Sequence, residues 1–166
     1  MENSQPTRGK FWLIKGMMGG VLAGAVFALA EMVMNGALGK PFFGPLRMIS
    51  SLVLGRQALQ PSFSLAAAGF TGLLVHAVLS AVYGLIFVSA VKFRKKEYGA
   101  VSFLTAAGSL YGMLLWLLNF YVFAPLWWPQ FTMVNAIWNG FAAHTFFFGT
   151  VLGAYIALVR NASLER

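Results

Sequence analysis

Four side chains in this 166-residue chain are acidic, and one of them, Glu31, sits inside the apolar stretch GMMGGVLAGAVFALAEMVMNG (16–36). Both histidines, His76 and His144, and the amides Asn35 and Asn119 are set in apolar stretches in the same way. An ionised carboxylate facing hydrocarbon costs roughly 3 kcal/mol even on insertion scales. Glu31 must therefore be neutral, paired or close to water. The residue types allow several chemistries. A protonated Glu31 bonded to Asn35, Asn119 or a histidine would act as glue between helices. The same group titrating beside His76 and His144 would serve a proton or cation path. One histidine in each half of the chain would suit a bis-His haem b, although basic partners for its propionates are limited to Arg47 or Arg56. A His2Glu metal site has suitable ligand types, but its ligands come from three separate segments with no paired local spacing. The residues alone lead us to expect no metal and no resident cofactor, with haem b as the exception to test.

The elements that must position these groups are membrane spans. The chain is 59% hydrophobic and 10% charged, with mean hydropathy +0.74, whereas soluble domains carry about 25% charged residues. The net charge of +8 does not point to nucleic acid, because the basic residues flank apolar segments and suit contact with the lipid bilayer. Cysteine is absent, which excludes disulfides and thiolate chemistry. Four segments, at about 15–38, 65–91, 99–123 and 132–159, are long enough to cross ~30 Å of hydrocarbon as helices. The basic MENSQPTRGK and Ala28-Leu29-Ala30 resemble a signal peptide, but the apolar stretch continues to about Leu38, so we read a retained span. Arg8, Lys10, Lys15, Lys92, Arg94, Lys95, Lys96, Arg160 and Arg166 fall on one side, and only Lys40, Arg47 and Arg56 on the other. That bias predicts cytoplasmic N and C termini, with VKFRKKEYG (91–99) as a cytoplasmic hairpin.

Two stretches on the outer side are more than turns. Residues 42–60 are too short to span but place Leu46, Ile49 and Val53 at helical spacing. They read as an interfacial or re-entrant helix anchored by Arg47 and Arg56. FAPLWWPQF (123–131) reads as an aromatic belt around Trp127 and Trp128.

The two halves, 15–91 and 99–159, are alike. Gly20-x3-Gly24-x6-Glu31 matches Gly108-x3-Gly112-x6-Asn119, and Thr71-Gly72-Leu73-x2-His76 matches Asn139-Gly140-Phe141-x2-His144. Duplicated two-span hairpins would be parallel repeats about an axis along the membrane normal. The predicted fold is thus an all-α, integral membrane four-helix bundle built from two such repeats, with a short interfacial helix after the first span. Projected at 100° per residue, Gly16, Gly20, Gly24, Glu31 and Asn35 form one packing stripe, and Thr105, Gly108, Gly112 and Asn119 its counterpart. Gly69, Gly72, His76, Ser80 and Tyr83 share a face of the second span. In the fourth, His144 shares a face with Gly140, Phe141, Val151 and Tyr155, while Asn135, Asn139, Gly149 and Gly153 lie opposite. A straight helix cannot aim both faces into this chain, so the second is expected to meet another subunit.

Enzyme signatures are missing: no phosphate-binding glycine loop, no H-E-x-x-H and no serine nucleophile in a strand–turn setting. The stretches GKPFFGPLRMISSLVLG and HAVLSAVYGLIF, followed by a later G-x3-H span, resemble a group of small bacterial four-span integral membrane proteins to which no activity is attached. The resemblance implies a four-helix membrane fold in a bacterial inner membrane and supplies no functional residue. The expected function is non-catalytic: association as an accessory subunit or homo-oligomer, with a second copy or a larger membrane complex as partner. The alternatives are a small transporter or proton/cation conduit, or a haem b electron carrier.

Overall fold

The structure, a computed structural model, describes residues 5–91, 101–133 and 137–164. The described residues are helical throughout, with no strand. The first long helix is α1 (Gln5–Ala37), followed by a short α2 (Gly44–Leu54), a 3-10 turn (Arg56–Leu59) and the long α3 (Leu65–Val91). Helix α4 (Val101–Leu117) runs through a π-helical segment (Leu118–Phe123) into α5 (Ala124–Trp127). After a 3-10 turn (Pro129–Met133), α6 (Ile137–Ala142) runs through a second π segment (Ala143–Thr150) into α7 (Val151–Leu164). Four apolar stretches, Gly9–Ala37, Leu65–Val91, Val101–Trp127 and Trp138–Ser163, are long enough to cross a membrane. Few residues of α3 are buried within the protein: Ala68, Gly72, Ser80, Gly84, Phe87 and Val88. Phe70 and Trp138 are 73% and 78% exposed, which suits side chains facing lipid rather than water.

Local chemistry sets the boundaries. The first span ends in a Schellman motif. Gly39 takes φ +71, its N–H donates to Gly36 O, and Lys40 N–H donates to Asn35 O. Pro41 follows and forbids continuation. The Ser64 hydroxyl caps α3 through Ala67 N–H at 3.3 Å. The third helix runs beyond the expected end near Phe123 to Trp127, straight through Pro125. The wider turn of the preceding π segment accommodates the ring and the missing N–H. Near 132, where the fourth span is expected to start, Pro129–Met133 form a 3-10 turn, and the described part of the fourth helix runs from Ile137. The basic hairpin of 91–99 falls outside the described residues apart from Val91, as does Asn135.

Helix α1 packs mainly on α3, and α4 on the fourth apolar helix, with α1 also meeting that fourth helix. The contacts are backbone to backbone. A methyl on Gly20 would overlap the Ser80 carbonyl and approach Gly84 Cα, and one on Gly84 would overlap Gly16 O. A methyl on Gly108 would overlap Gly149 O and approach Gly153 Cα, and one on Gly153 would overlap Leu104 O. At this same end lies the core, where Ala23, Phe87, Val88, Leu104, Leu152 and Ile156 are almost wholly buried.

One expectation needs correcting. Gly149 and Gly153 do not form a separate outward face of the fourth span. A side chain on Gly112 would meet both His144 O and Gly149 Cα, because the π segment between 143 and 150 changes the register that a straight helix would keep. This face is occupied inside the chain. The packing makes a sharp contrast testable. Gly108→Val is expected to force the third and fourth spans apart, an overpacking cost of at least about 1–3 kcal/mol, and to lower the thermal midpoint in detergent. Gly69→Ala, where nothing lies within 4 Å of the new methyl, is expected to leave it unchanged. Equal midpoints for the two variants would refute this account of the packing.

Candidate functional site

Backbone contacts at glycine between the long helices run as far as Gly24 and Gly112. At the end of the bundle away from the N-terminus the helices enclose a cavity of about 610 Å³, within the size range of small-molecule sites. Its floor is made by Phe27, His76, Ser80, His144 and Phe148 at mid-helix level. Glu31 and Asn35 stand on the α1 wall, and Asn119, Phe120 and Phe123 on the opposite one. Lys40, Pro41, Met48, Trp127 and Trp128 surround the mouth. Both π segments contribute to the lining: Asn119, Phe120 and Phe123 from the first, His144 and Phe148 from the second. Wide turns of this kind recur at functional sites.

The polar groups seen in the sequence therefore share one cavity, but they are not bonded to one another as expected. His76 Nε2 lies 2.8 Å from Gly24 O, joining α3 to α1. His144 Nδ1 lies 2.8 Å from Gly140 O within its own helix. A carbonyl only accepts, so each imidazole donates through that nitrogen. In the neutral ring His76 Nδ1 and His144 Nε2 are then left as acceptors. Asn119 is held from α3, where Tyr83 Oη donates to its Oδ1 at 3.0 Å. The two side chains lean toward each other because both point back along their helices toward the N-terminus.

Glu31 is the exception. Its Oε1 is buried and has no hydrogen-bond partner among the described residues. The anticipated bonds from Asn35, Asn119 or a histidine do not reach that atom, so it is not fastening helices together. Lys40, in the loop beyond Gly39, lines the same cavity. A buried acceptor of this kind is costly unless something satisfies it.

Two cofactor readings meet this geometry. The Phe27 ring stands 5.3 Å from His76 and 4.8 Å from His144, centroid to centroid. A haem between the two imidazoles would need the slot that Phe27 fills. Among the described residues no three His, Asp or Glu side chains gather closely enough to hold a metal ion.

Helix α2 forms one side of the mouth. Gly72 admits it against α3, since a methyl there would overlap Leu46 O. Ser50 and Ser51 are buried, with hydroxyls donating to Arg47 O and Met48 O. Gln130 Nε2 donates to Ser51 Oγ at 3.1 Å, tying α2 to the turn after α5. Arg47 was expected to reach for headgroups. Instead its guanidinium donates to Ala58 O at 3.0 Å, Gln60 O at 3.1 Å and Phe63 O at 3.0 Å. The apolar pattern of 42–60 gave no sign of this clamp. Arg56 is exposed, Trp127 is 61% exposed, and Trp128 is half-buried against the cavity.

No protein-family model matches the chain, and no curated protein or solved structure is significantly similar to it.

Arg47→Met removes three charge-assisted bonds, worth about 2 kcal/mol together once partial exposure is allowed for. Amide exchange across residues 58–63 is expected to accelerate at least about tenfold on that scale, with exchange in α4 unchanged. Unaltered exchange in that loop would show that the clamp carries no weight.

Proposed function

We propose that the chain is a small multi-pass transporter or cation conduit, non-catalytic, that takes its solute into this cavity at Glu31. The observation that carries the reading is the buried, unpartnered Glu31 Oε1 in the wall of a cavity closed beneath by packed core. A polar group at membrane depth is retained against its cost when a pathway or ligand uses it. The bias of nine basic residues against three supports cytoplasmic termini, and the resemblance supports a bacterial inner membrane; in that orientation the cavity faces outward and the packed core lies on the cytoplasmic side.

Duplication of a two-span hairpin belongs to the same proposal. Gly20 against Ser80 and Gly84 is mirrored by Gly108 against Gly149 and Gly153, and Gly84 against Gly16 O by Gly153 against Leu104 O. Gly149 stands one residue further from His144 than Ser80 from His76, the single insertion that a π turn absorbs. The halves are then parallel repeats with the site between them, as in transporters built this way. Association with a second copy or an accessory partner loses its main motive, because Gly149 and Gly153 are occupied within the chain.

The chain has no cysteine, so single cysteines report accessibility cleanly. In right-side-out vesicles, Asn35→Cys and Phe120→Cys are expected to react with a membrane-impermeant thiol reagent, and Leu152→Cys to stay protected. In proteoliposomes, cation flux is expected to fall at least about tenfold with Glu31→Gln, as loss of a charge-assisted contact implies. Reaction of the cavity cysteines only from the cytoplasmic side, or flux that survives both Glu31→Gln and His76→Ala, would overturn the proposal.

A further inference from the structure

We infer that the solute is a protonated primary or secondary amine carried on an apolar body. This deepens the proposed function and rests on it. Bonding at the cavity floor fixes what the site can offer a ligand. Gly24 O and Gly140 O each claim one imidazole N–H, which leaves acceptor nitrogens at His76 Nδ1 and His144 Nε2. Glu31 Oε1 is a further acceptor, without a partner of its own. The deep polar groups thus present lone pairs and one carboxylate and call for a ligand rich in donors. A carboxylate or phosphate placed beside Glu31 and these ring nitrogens would meet lone pair against lone pair, and the amide N–H groups of Asn35 and Asn119 bring no charge to offset it.

Charge points the same way. Lys40 stands at the mouth with an exposed side chain, and no ion pair to Glu31 is formed among the described residues. A cation binding beside Glu31 supplies the close counter-charge that the fold does not. Beside these groups the lining carries the polar side chains of Asn35, Lys40, Ser80, Tyr83 and Asn119, and the remainder is apolar and aromatic, with Phe27 and Phe120 near the histidines. Ring faces add attraction for a cation, and the volume of about 610 Å³ leaves room for a hydrocarbon or aromatic body above the ammonium.

The test is calorimetric titration of the full chain in lipid nanodiscs, with empty nanodiscs as the blank. The probes are phenylbutylammonium, its trimethylammonium analogue, phenylbutanol and phenylbutyrate. The ammonium is expected to bind at least about tenfold more tightly than the other three, because it alone brings both charge and N–H donors. Glu31→Gln is expected to remove that preference, and Glu31→Asp to retain most of it. Lys40→Ala should strengthen ammonium binding several-fold by removing a like charge. Phenylbutanol binding as well as the ammonium, phenylbutyrate binding best, or no binding by any probe would each overturn the inference. If that happens while cysteine at position 35 still reacts from outside, the cavity reading stands and only the ligand class falls. If that cysteine is unreactive, the proposed function falls with it.

Discussion

Direct contact between helix backbones at glycine is the constraint on which the rest of the structure depends. Lipid tails are as apolar as leucine, so spans gain little by hiding side chains from them and must associate through close packing. Here Gly16 and Gly20 meet Gly84 and Ser80, while Gly108 and Gly112 meet Gly149 and Gly153. All of these contacts lie in the same half of the bundle as the buried core. Past Gly24 and Gly112 the inward positions carry Phe27, Phe120, Phe123 and Trp128. Stiff helices drawn together at one end and wedged by rings at the other must splay. The cavity is the consequence of that small-to-large gradient, and it has a single closed end for the same reason. Glu31 lies on the stripe defined by Gly16, Gly20 and Gly24, so the contacts that fix the rotation of α1 also turn its carboxyl between the helices rather than toward lipid.

The π segments reconcile two demands that a regular helix cannot meet together. In the fourth span His144 must face the cavity while Gly149 and Gly153 face α4. At 3.6 residues per turn these positions fall on opposed sides. The segment Ala143–Thr150 supplies the missing rotation, and Thr150 Oγ1 donates to Thr145 O across it at 3.0 Å. In the third span Leu118–Phe123 presents Asn119 and Phe120 to the cavity and leads directly into Pro125. The first irregularity lies at the cavity wall, and the second runs from the wall at His144 into the packed half at Phe148 and Gly149, joining the site to the core.

Much of this was legible in the sequence, and what was not has a physical reason. Span number, the break at Gly39-Lys40-Pro41 and the packing stripe of α1 follow from hydropathy, turn chemistry and four-residue glycine spacing. The polar residues that line the cavity were recognisable because polar groups at membrane depth are rare. The bonding among them was not. Composition favours Glu31 paired with an amide or histidine, yet both imidazoles are taken by backbone carbonyls, which leave no trace in a side-chain pattern. Projection at a constant angle failed in the fourth span, since a π insertion has no residue signature. Arg47 looked like a headgroup anchor because amphipathic spacing shows which residues are apolar, not where an arginine can find three carbonyl oxygens nearby.

The backbone also sets the polarity of the cavity floor. Gly24 brings its carbonyl within 2.8 Å of His76 because it has no side chain to hold α3 away. That bond in turn decides which ring nitrogen keeps a proton. A larger residue at position 24 would overlap Ser80 Oγ and crowd His76 Nε2. It would separate α1 from α3 and release the imidazole in one step. Packing and site chemistry thus share a carbonyl group, and the acceptor character of the floor is a property of how closely the helices approach. Glu31 differs in kind. It stands about two turns beyond Gly24 on the same stripe, in the wall of the cavity. The histidines can be explained by bonds within the fold, whereas no hydrogen bond among the described residues accounts for Glu31 Oε1.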